Sequence, residues 1–182
     1  MLLADADDRM VKSVENSREK LGTVRTGRAS PALLDRVQVD YYGTQTPINQ
    51  MANIAAAEAR LLTVSPYDKS ALPAIEKAII DSDLGLTPNN DGNVVRIQIP
   101  ELTEERRNDM VKQVRQLAEE GRVAVRNIRR DVMHELKELR TGGDVGEDDE
   151  KRAEADLQKL TDKHIAEIDS QLSHKEADLL EV

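Results

Sequence analysis

The hydrophobic pattern of the chain has helical period at both ends and a mixed period between them. Between residues 4 and 28, Met10, Val14, Ser17, Leu21 and Val24 recur at spacings of four and three, which sets them on one stripe of an α-helix. Ser17 is the weak member of that stripe. The pattern ends near Gly27. Ala29-Ser30-Pro31 disfavours more helix, because a proline pushes the residue before it toward extended backbone.

From residue 34 the period shortens to two. Val37, Val39 and Tyr41 alternate with polar positions, and Tyr42-Gly43 followed by Thr46-Pro47 marks a turn or bulge. Leu62 and Val64 read as a second strand that stops at Ser65-Pro66. Leu72, Ile75, Ile79 and Ile80 fit a short helix, with Ser70 as its candidate N-cap and Gly85 as its candidate C′ residue. Pro88-Asn89-Asn90-Asp91-Gly92 is a turn signal. Val95, Ile97 and Ile99 then alternate as a strand that Pro100 closes.

The long period returns at Thr103, a plausible N-cap followed by Glu104 and Glu105, where a helix N-terminus favours negative charge. Helical spacing then runs without a proline to about Arg140, roughly 57 Å at 1.5 Å per residue. Thr141-Gly142-Gly143 breaks it. A last helix is predicted from about Glu147 to Leu180, with Leu157, Leu160, Ile165, Ile168, Leu172 and Leu179 as its apolar positions. No internal repeat is apparent.

Three long amphipathic helices need partners for their apolar stripes, and an antiparallel three-helix bundle is the economical solution. The segment between the first helix and the other two must then be an inserted domain. The predicted fold class is α+β: residues 1–29 and 103–182 form the bundle, and residues 30–102 form a small β/α/β domain. Two short chain crossings join them. Ala29, Ser30 and Pro31 on one side and Leu102 and Thr103 on the other are the expected hinge.

Composition narrows the chemistry. The 182 residues contain no Cys, Trp or Phe and three Tyr, so any core is aliphatic, and disulfides and thiolate metal sites are excluded. No apolar run approaches the ~20 residues of a membrane span. The start, MLLADADDRM, lacks the basic and apolar regions of a secretory signal, so a cytoplasmic protein is expected.

Charge is segregated along the chain, although the total is −9. Residues 106–140 carry ten Lys/Arg against six Asp/Glu, while residues 141–182 carry a net −8. The stretch RVAVRNIRRDVMHEL, Arg122 to Leu136, holds four arginines in its first nine residues. On a wheel that sets Arg115 at zero, Arg122, Arg126, Arg129, Arg130, Lys137 and Arg140 all fall within about 60° of it. Met110, Leu117, Gly121, Ala124, Ile128 and Leu139 cluster between about −120° and 180° as the expected core. The arginines are therefore expected on a stripe turned well away from the core, with few acids spaced to pair with them. Such a stripe reads either as a solvated face or as a polyanion grip. Arg predominates over Lys, and its planar fork suits phosphates, so RNA recognised by shape is the favoured ligand.

No enzyme signature survives inspection. His134, His164 and His174 are far apart, and His164 is expected at the surface or at the edge of the core stripe. No phosphate-binding glycine motif occurs. The acidic run Gly146–Glu150 lacks the spaced ligands of a calcium loop and reads as an acidic helix start. Catalytic residues, metal and cofactor are all expected to be absent. Tyr41-Tyr42 more often packs locally than stacks bases, and the β segment has no basic patch.

Five stretches resemble one family. VRTGRASPALLDRVQVDYYGTQTPINQ (Val24–Gln50) is similar to the N-terminal signature of ribosome recycling factors. SDLGLTPNNDG, LTEERRNDMVK and RVAVRNIRRD match further family motifs, and HKEADLLEV resembles the family C-terminus. The resemblance covers nearly the whole chain in order. It implies a three-helix bundle with a hinged β/α/β insertion, similar in outline to a transfer RNA. It also implies a monomer that binds the post-termination ribosome and, with elongation factor G and that partner's GTP hydrolysis, splits it into subunits and releases mRNA and tRNA. Carried over by residue, it implies contacts to large-subunit rRNA near the subunit interface through Arg107, Arg126 and Arg129, with Arg28 nearby and Arg130 supporting. Arg115 and Arg122 rest on the wheel alone, and Arg107, near −80°, lies off the stripe. The Thr141–Gly143 corner departs from relatives, which often carry more charge there. The competing reading is a helical interaction module that binds an acidic protein. A metal-dependent hydrolase using His164 or Asp148 is the third.

Overall fold

The computed structural model describes residues 1–180. Glu181 and Val182, the last two positions of the expected bundle, lie outside the described residues. In chain order the elements are α1 (Leu2–Gly22), β1 (Gln38–Tyr41), β2 (Thr44–Pro47), α2 (Ile48–Met51), β3 (Ala52–Glu58), β4 (Leu61–Pro66), α3 (Leu72–Ile80), β5 (Pro88–Asn90), β6 (Val95–Gln98), α4 (Glu104–Thr141) and α5 (Glu147–Leu180). Two 3₁₀ turns, Pro31–Leu34 and Lys69–Ala71, punctuate the middle. The chain divides into two compact units. One is Met1–Arg25 with the segment from Glu104 onward; the other is Thr26–Thr103.

In the helical unit α1, α4 and α5 each pack against the other two. Cross-helix polar pairs give their directions. Arg9 bonds Asp131 and Lys20 bonds Glu120, so α1 and α4 are antiparallel. Asp7 meets His164 and Val14 meets Gln171, so α1 and α5 run parallel. At the α4–α5 corner the Gly142, Gly143 and Asp144 amides fold back onto the carbonyls of Glu138, Arg140 and Leu139. Gly143 takes a φ of +83°, the left-handed conformation that ends a helix at low cost in glycine. Arg140 reaches across this corner to the buried Glu150 at 2.8 Å.

The buried positions on α4 are Met110, Val114, Ala118, Gly121, Val125, Ile128, Val132 and Leu136. This corrects the wheel. Leu117 and Ala124 are only half-buried, and Leu139 is exposed. The observed stripe advances in steps of four broken twice by a step of three, the spacing that keeps one helix face buried. Its centre lies near −100°, closer to the arginines than expected. The expected list shares Met110, Gly121 and Ile128 with the observed stripe and lacks Val114, Ala118, Val125, Val132 and Leu136, which turn its centre by about 40°. A Cβ on Gly121 would come within 2.9 Å of the Ser17 hydroxyl oxygen and 3.2 Å of Ile168 Cδ1.

The second unit contains more strand than the period suggested. β1 and β2 form a hairpin, with Gln38 opposite Pro47 and Tyr41 opposite Thr44. Its turn is Tyr42-Gly43 with φ of 50° and 80°, the two left-handed residues that a tight hairpin requires. A four-stranded antiparallel sheet has the order β3-β4-β6-β5. β2, β3 and β5 escaped the sequence reading for definable reasons. β2 is the largely polar TQTP, β3 is an alanine-rich edge strand, and β5 is three residues inside an apparent turn signal. The α3 ends also differ. The Asp68 side chain, not Ser70, caps the turn leading into α3, and the helix stops at Ile80, well short of Gly85. Ile80 is exposed rather than core. Leu34, Val37, Val39, Ile48, Leu62, Val64, Leu72, Ile75, Ile79, Val95, Ile97 and Ile99 make one aliphatic core.

Candidate nucleic-acid interface

The continuous helix α4 sets Arg115, Arg122, Arg126, Arg129 and Arg130 along one side, as their spacing required. That side is not remote from the rest of the bundle. It borders α5, and α5 supplies partners that α4 spacing alone could not reveal. Arg115 Nε bonds Glu176, Arg122 Nε donates to Asp169 Oδ1 at 2.7 Å, and Arg129 donates to Gln158 at 3.3 Å. The expectation that few acids pair with the stripe is therefore corrected. The missing acids come from the antiparallel helix, whose register was not legible from either helix alone.

Glu119 is the acid within α4 that matters most. One carboxylate oxygen accepts from Arg122 at 2.9 Å and the other from Arg126 at 2.9 Å. Those hydrogen bonds, first to Arg122 and then to Arg126, hold its carboxyl below the usual range. Partial burial works against the Arg122 charge. Its bonds to Asp169 and Glu119 outweigh that, and its pKa lies above the ordinary value.

The stripe is thus electrostatically graded. Arg115 and Arg122 are tied to carboxylates, and Arg126 shares one. Arg129 and Arg130 bond neutral amides, Gln158 and Asn127, the latter at 3.0 Å. Positive charge is least offset over the turn from Arg126 to Arg130. A planar guanidinium with donors to spare can grip a phosphate there in two places. Arg107 is half-buried with its Nε enclosed, and it is engaged in a polar interaction of its own. Its wheel angle near −80° puts it on the observed buried stripe, which explains that burial.

Arg28 belongs to the other unit, is exposed, and is likewise engaged. The residues expected as a hinge lie within that unit too. The Ala29 amide donates to the Ala59 carbonyl at 2.7 Å, the Ser30 hydroxyl accepts from the Ala32 amide, and Pro31 opens a 3₁₀ turn. Leu102 packs on Gly27, whose φ is +76° and whose missing Cβ would lie 3.0 Å from Leu102. Thr103 is the last residue before the helical unit resumes.

His164 corrects another expectation. It is 1% exposed, and its Nε2 lies 2.6 Å from Asp7 Oδ1. Its Nδ1 is 3.6 Å from Glu167, an ion-pair distance too long for a hydrogen bond. The ring is buried because the stripe of α5 passes through Leu157, Thr161, His164 and Ile168 and faces α1. Among the described residues no group of three His, Cys, Asp or Glu is arranged to hold a metal ion. No helix among them is long and apolar enough to cross a membrane.

Comparison with known proteins adds to this geometry. The family model for ribosome recycling factor matches residues 17–180. The ribosome-recycling factor of Rubrobacter xylanophilus is 58% identical over 180 residues, covering 99% of this chain and 97% of that protein. That of Listeria monocytogenes serovar 1/2a is 55% identical over 181 residues, covering 100% of this chain and 98% of its own. A solution structure of a ribosome recycling factor is similar with a TM-score of 0.75 at 41% identity, covering 100% of this chain and 96% of that one. A second structure has the T. thermophilus factor with E. coli elongation factor G bound to the E. coli post-termination complex. It is similar with a TM-score of 0.64 at 51% identity, covering 98% of this chain and 97% of that chain.

Proposed function

The chain belongs to the ribosome recycling factor family, and from that premise we propose how its own residues perform recycling. It binds the post-termination ribosome and, with elongation factor G and GTP, splits it into subunits, freeing mRNA and tRNA. Hydrolysis belongs to the partner; this chain contributes binding and leverage and is not an enzyme. It acts in the cytoplasm as a monomer and needs no cofactor.

The grip is the Arg126–Arg130 turn of α4, placed on large-subunit rRNA near the subunit interface, with Arg107 and Arg28 as further contacts. The observation that carries this is the grading of the stripe. Guanidiniums bonded to neutral amides stand on a 38-residue helix that is rigidly packed on two others. Phosphate contacts of this kind fix position without reading sequence, which suits a structured RNA. The insertion, residues 30–102, moves about the crossings at Ala29–Pro31 and Leu102–Thr103 when elongation factor G acts on it.

Light scattering of post-termination ribosomes tests both parts. Scattering is expected to fall only when this protein, elongation factor G and GTP are all present. Arg129→Ala is expected to slow the fall by about tenfold, the loss of one charge-assisted bond of roughly 1.5 kcal/mol. A fall without elongation factor G, or an unaffected Arg129→Ala, overturns the respective part.

A further inference from the structure

The middle of the arginine stripe is covered by acids rather than open to a ligand. Asp169, Arg122, Glu119 and Arg126 form a linked chain of alternating charge, with contacts of 2.7, 2.9 and 2.9 Å. Its formal charge is zero. The exposures are ordered in a telling way. The Arg122 side chain is 20% exposed, whereas those of Glu119 and Asp169 are 49% and 51% exposed. A phosphodiester approaching this turn meets carboxylate oxygens before it meets the guanidinium.

We propose that Glu119 and Asp169 are specificity-determining residues that hold Arg122 away from RNA phosphates, so that the bundle rejects RNA in general and grips only where Arg129 and Arg130, with Arg126 shared with Glu119, suffice. This rests on the reading of the stripe as an rRNA grip. Two carboxylates repel a polyanion and also occupy the Nε and one terminal nitrogen of Arg122. An RNA backbone must then either displace both acids from Arg122 or be shaped to contact the next turn alone. Non-specific affinity for nucleic acid is set by the number of phosphates neutralised, so withholding one arginine lowers it for every RNA. A pre-placed surface on ribosomal RNA loses less, because its contacts lie beyond the covered turn. The acids are thus positioning residues that act through Arg122 and Arg126.

The test is binding of the full chain to a short RNA duplex of about 16 base pairs with no ribosomal sequence, titrated across salt. Glu119→Gln with Asp169→Asn keeps oxygen acceptors in place and removes the charge. This double variant is expected to bind the duplex several-fold more tightly. Its plot of log affinity against log salt should steepen by about 0.9, one added phosphate contact. Adding Arg122→Gln should take back about 0.9 of the slope, the contact that Arg122 supplies. Unchanged affinity, tighter binding with an unchanged slope, or a slope that survives Arg122→Gln each overturn the proposal. Should circular dichroism show the double variant losing helix, Asp169→Asn alone carries the test, with a smaller tightening and the same direction of slope. Arg129→Ala on the parental chain, assayed against ribosomes, separates the two readings. If it binds as the parent does, the rRNA grip fails, whatever the duplex shows.

Discussion

The two units bury their interiors on different terms. Among the described residues the buried core of the Thr26–Thr103 unit is wholly apolar. The buried polar and charged residues Ser17, Glu150, Thr161 and His164 all belong to the helical unit. The difference follows from what each architecture must specify. A β-sheet fixes its register through backbone pairing, so its core can be apolar throughout. Long helices can slide past one another by a turn with little change in apolar contact. Groups that must find one partner, such as His164 with Asp7 and Glu150 with Arg140, penalise every other register. The helical unit gives up some apolar burial for that definition.

The largest test of this contrast is removal of apolar mass. Ile97→Ala in the sheet and Ile128→Ala in the bundle should each destabilise by about 2–5 kcal/mol. Ile97, which has no exposure, is expected toward the upper end, and Ile128, at 8%, toward the lower. Urea midpoints of the two variants check the order. Equal losses would mean that the bundle core is as apolar in effect as the sheet core.

Gly121→Ala comes next. A methyl there sits 2.9 Å from Ser17 Oγ and 3.1 Å from Ser17 Cβ, so the helices must part. The overpacking cost of about 1–3 kcal/mol exceeds the roughly 1 kcal/mol that alanine gains over glycine in a helix. Ser17→Ala removes the nearest atom, an oxygen without a hydrogen-bond partner among the described residues. A double-mutant cycle should show favourable coupling between the two changes.

The effect of acid is gentler. The backbone amides of Asn93 and Val94 and the Arg96 side chain hold Asp91, in the turn before β6, at about 2, against an ordinary 3.8. A depressed folded pKa means that its stabilisation is present above about 3.8 and is lost as pH falls through about 2. Melting temperature followed from pH 5 to pH 2 should drop less steeply in Asp91→Asn than in the parent. The smallest effect on stability is expected for Arg129→Ala, within about 0.5 kcal/mol, because its partner Gln158 is exposed and can bond water. A larger loss in its melting curve would make Arg129 a structural strut like Arg122.

Sequence alone exposed the long helices because dozens of residues repeat one period. The stripe of α1 through Met10, Val14, Ser17 and Leu21 is legible residue by residue. Short strands offer no such averaging. β3 keeps one buried residue at its start, and an edge strand has only one neighbour to impose a pattern. The site was legible to the same degree. The arginine spacing fixed one side of α4. The grading of its charge depends on α5 register, and Asp169 lies 47 residues from Arg122 in sequence. His164 reads as a border residue in the sequence, because a polar residue in an apolar stripe looks like one until its partner on another helix is known.

The distribution of aromatic side chains has an optical consequence. The three tyrosines, Tyr41, Tyr42 and Tyr67, are the only aromatic residues besides histidine, and all lie between Thr26 and Thr103. Near-ultraviolet absorbance and intrinsic fluorescence therefore watch the inserted unit alone, while far-ultraviolet dichroism is dominated by the three long helices. A single solution thus carries two nearly independent signals, one for each unit, with no label attached. A tryptophan placed in the bundle would report on that unit separately, because it can be excited at wavelengths where tyrosine does not absorb.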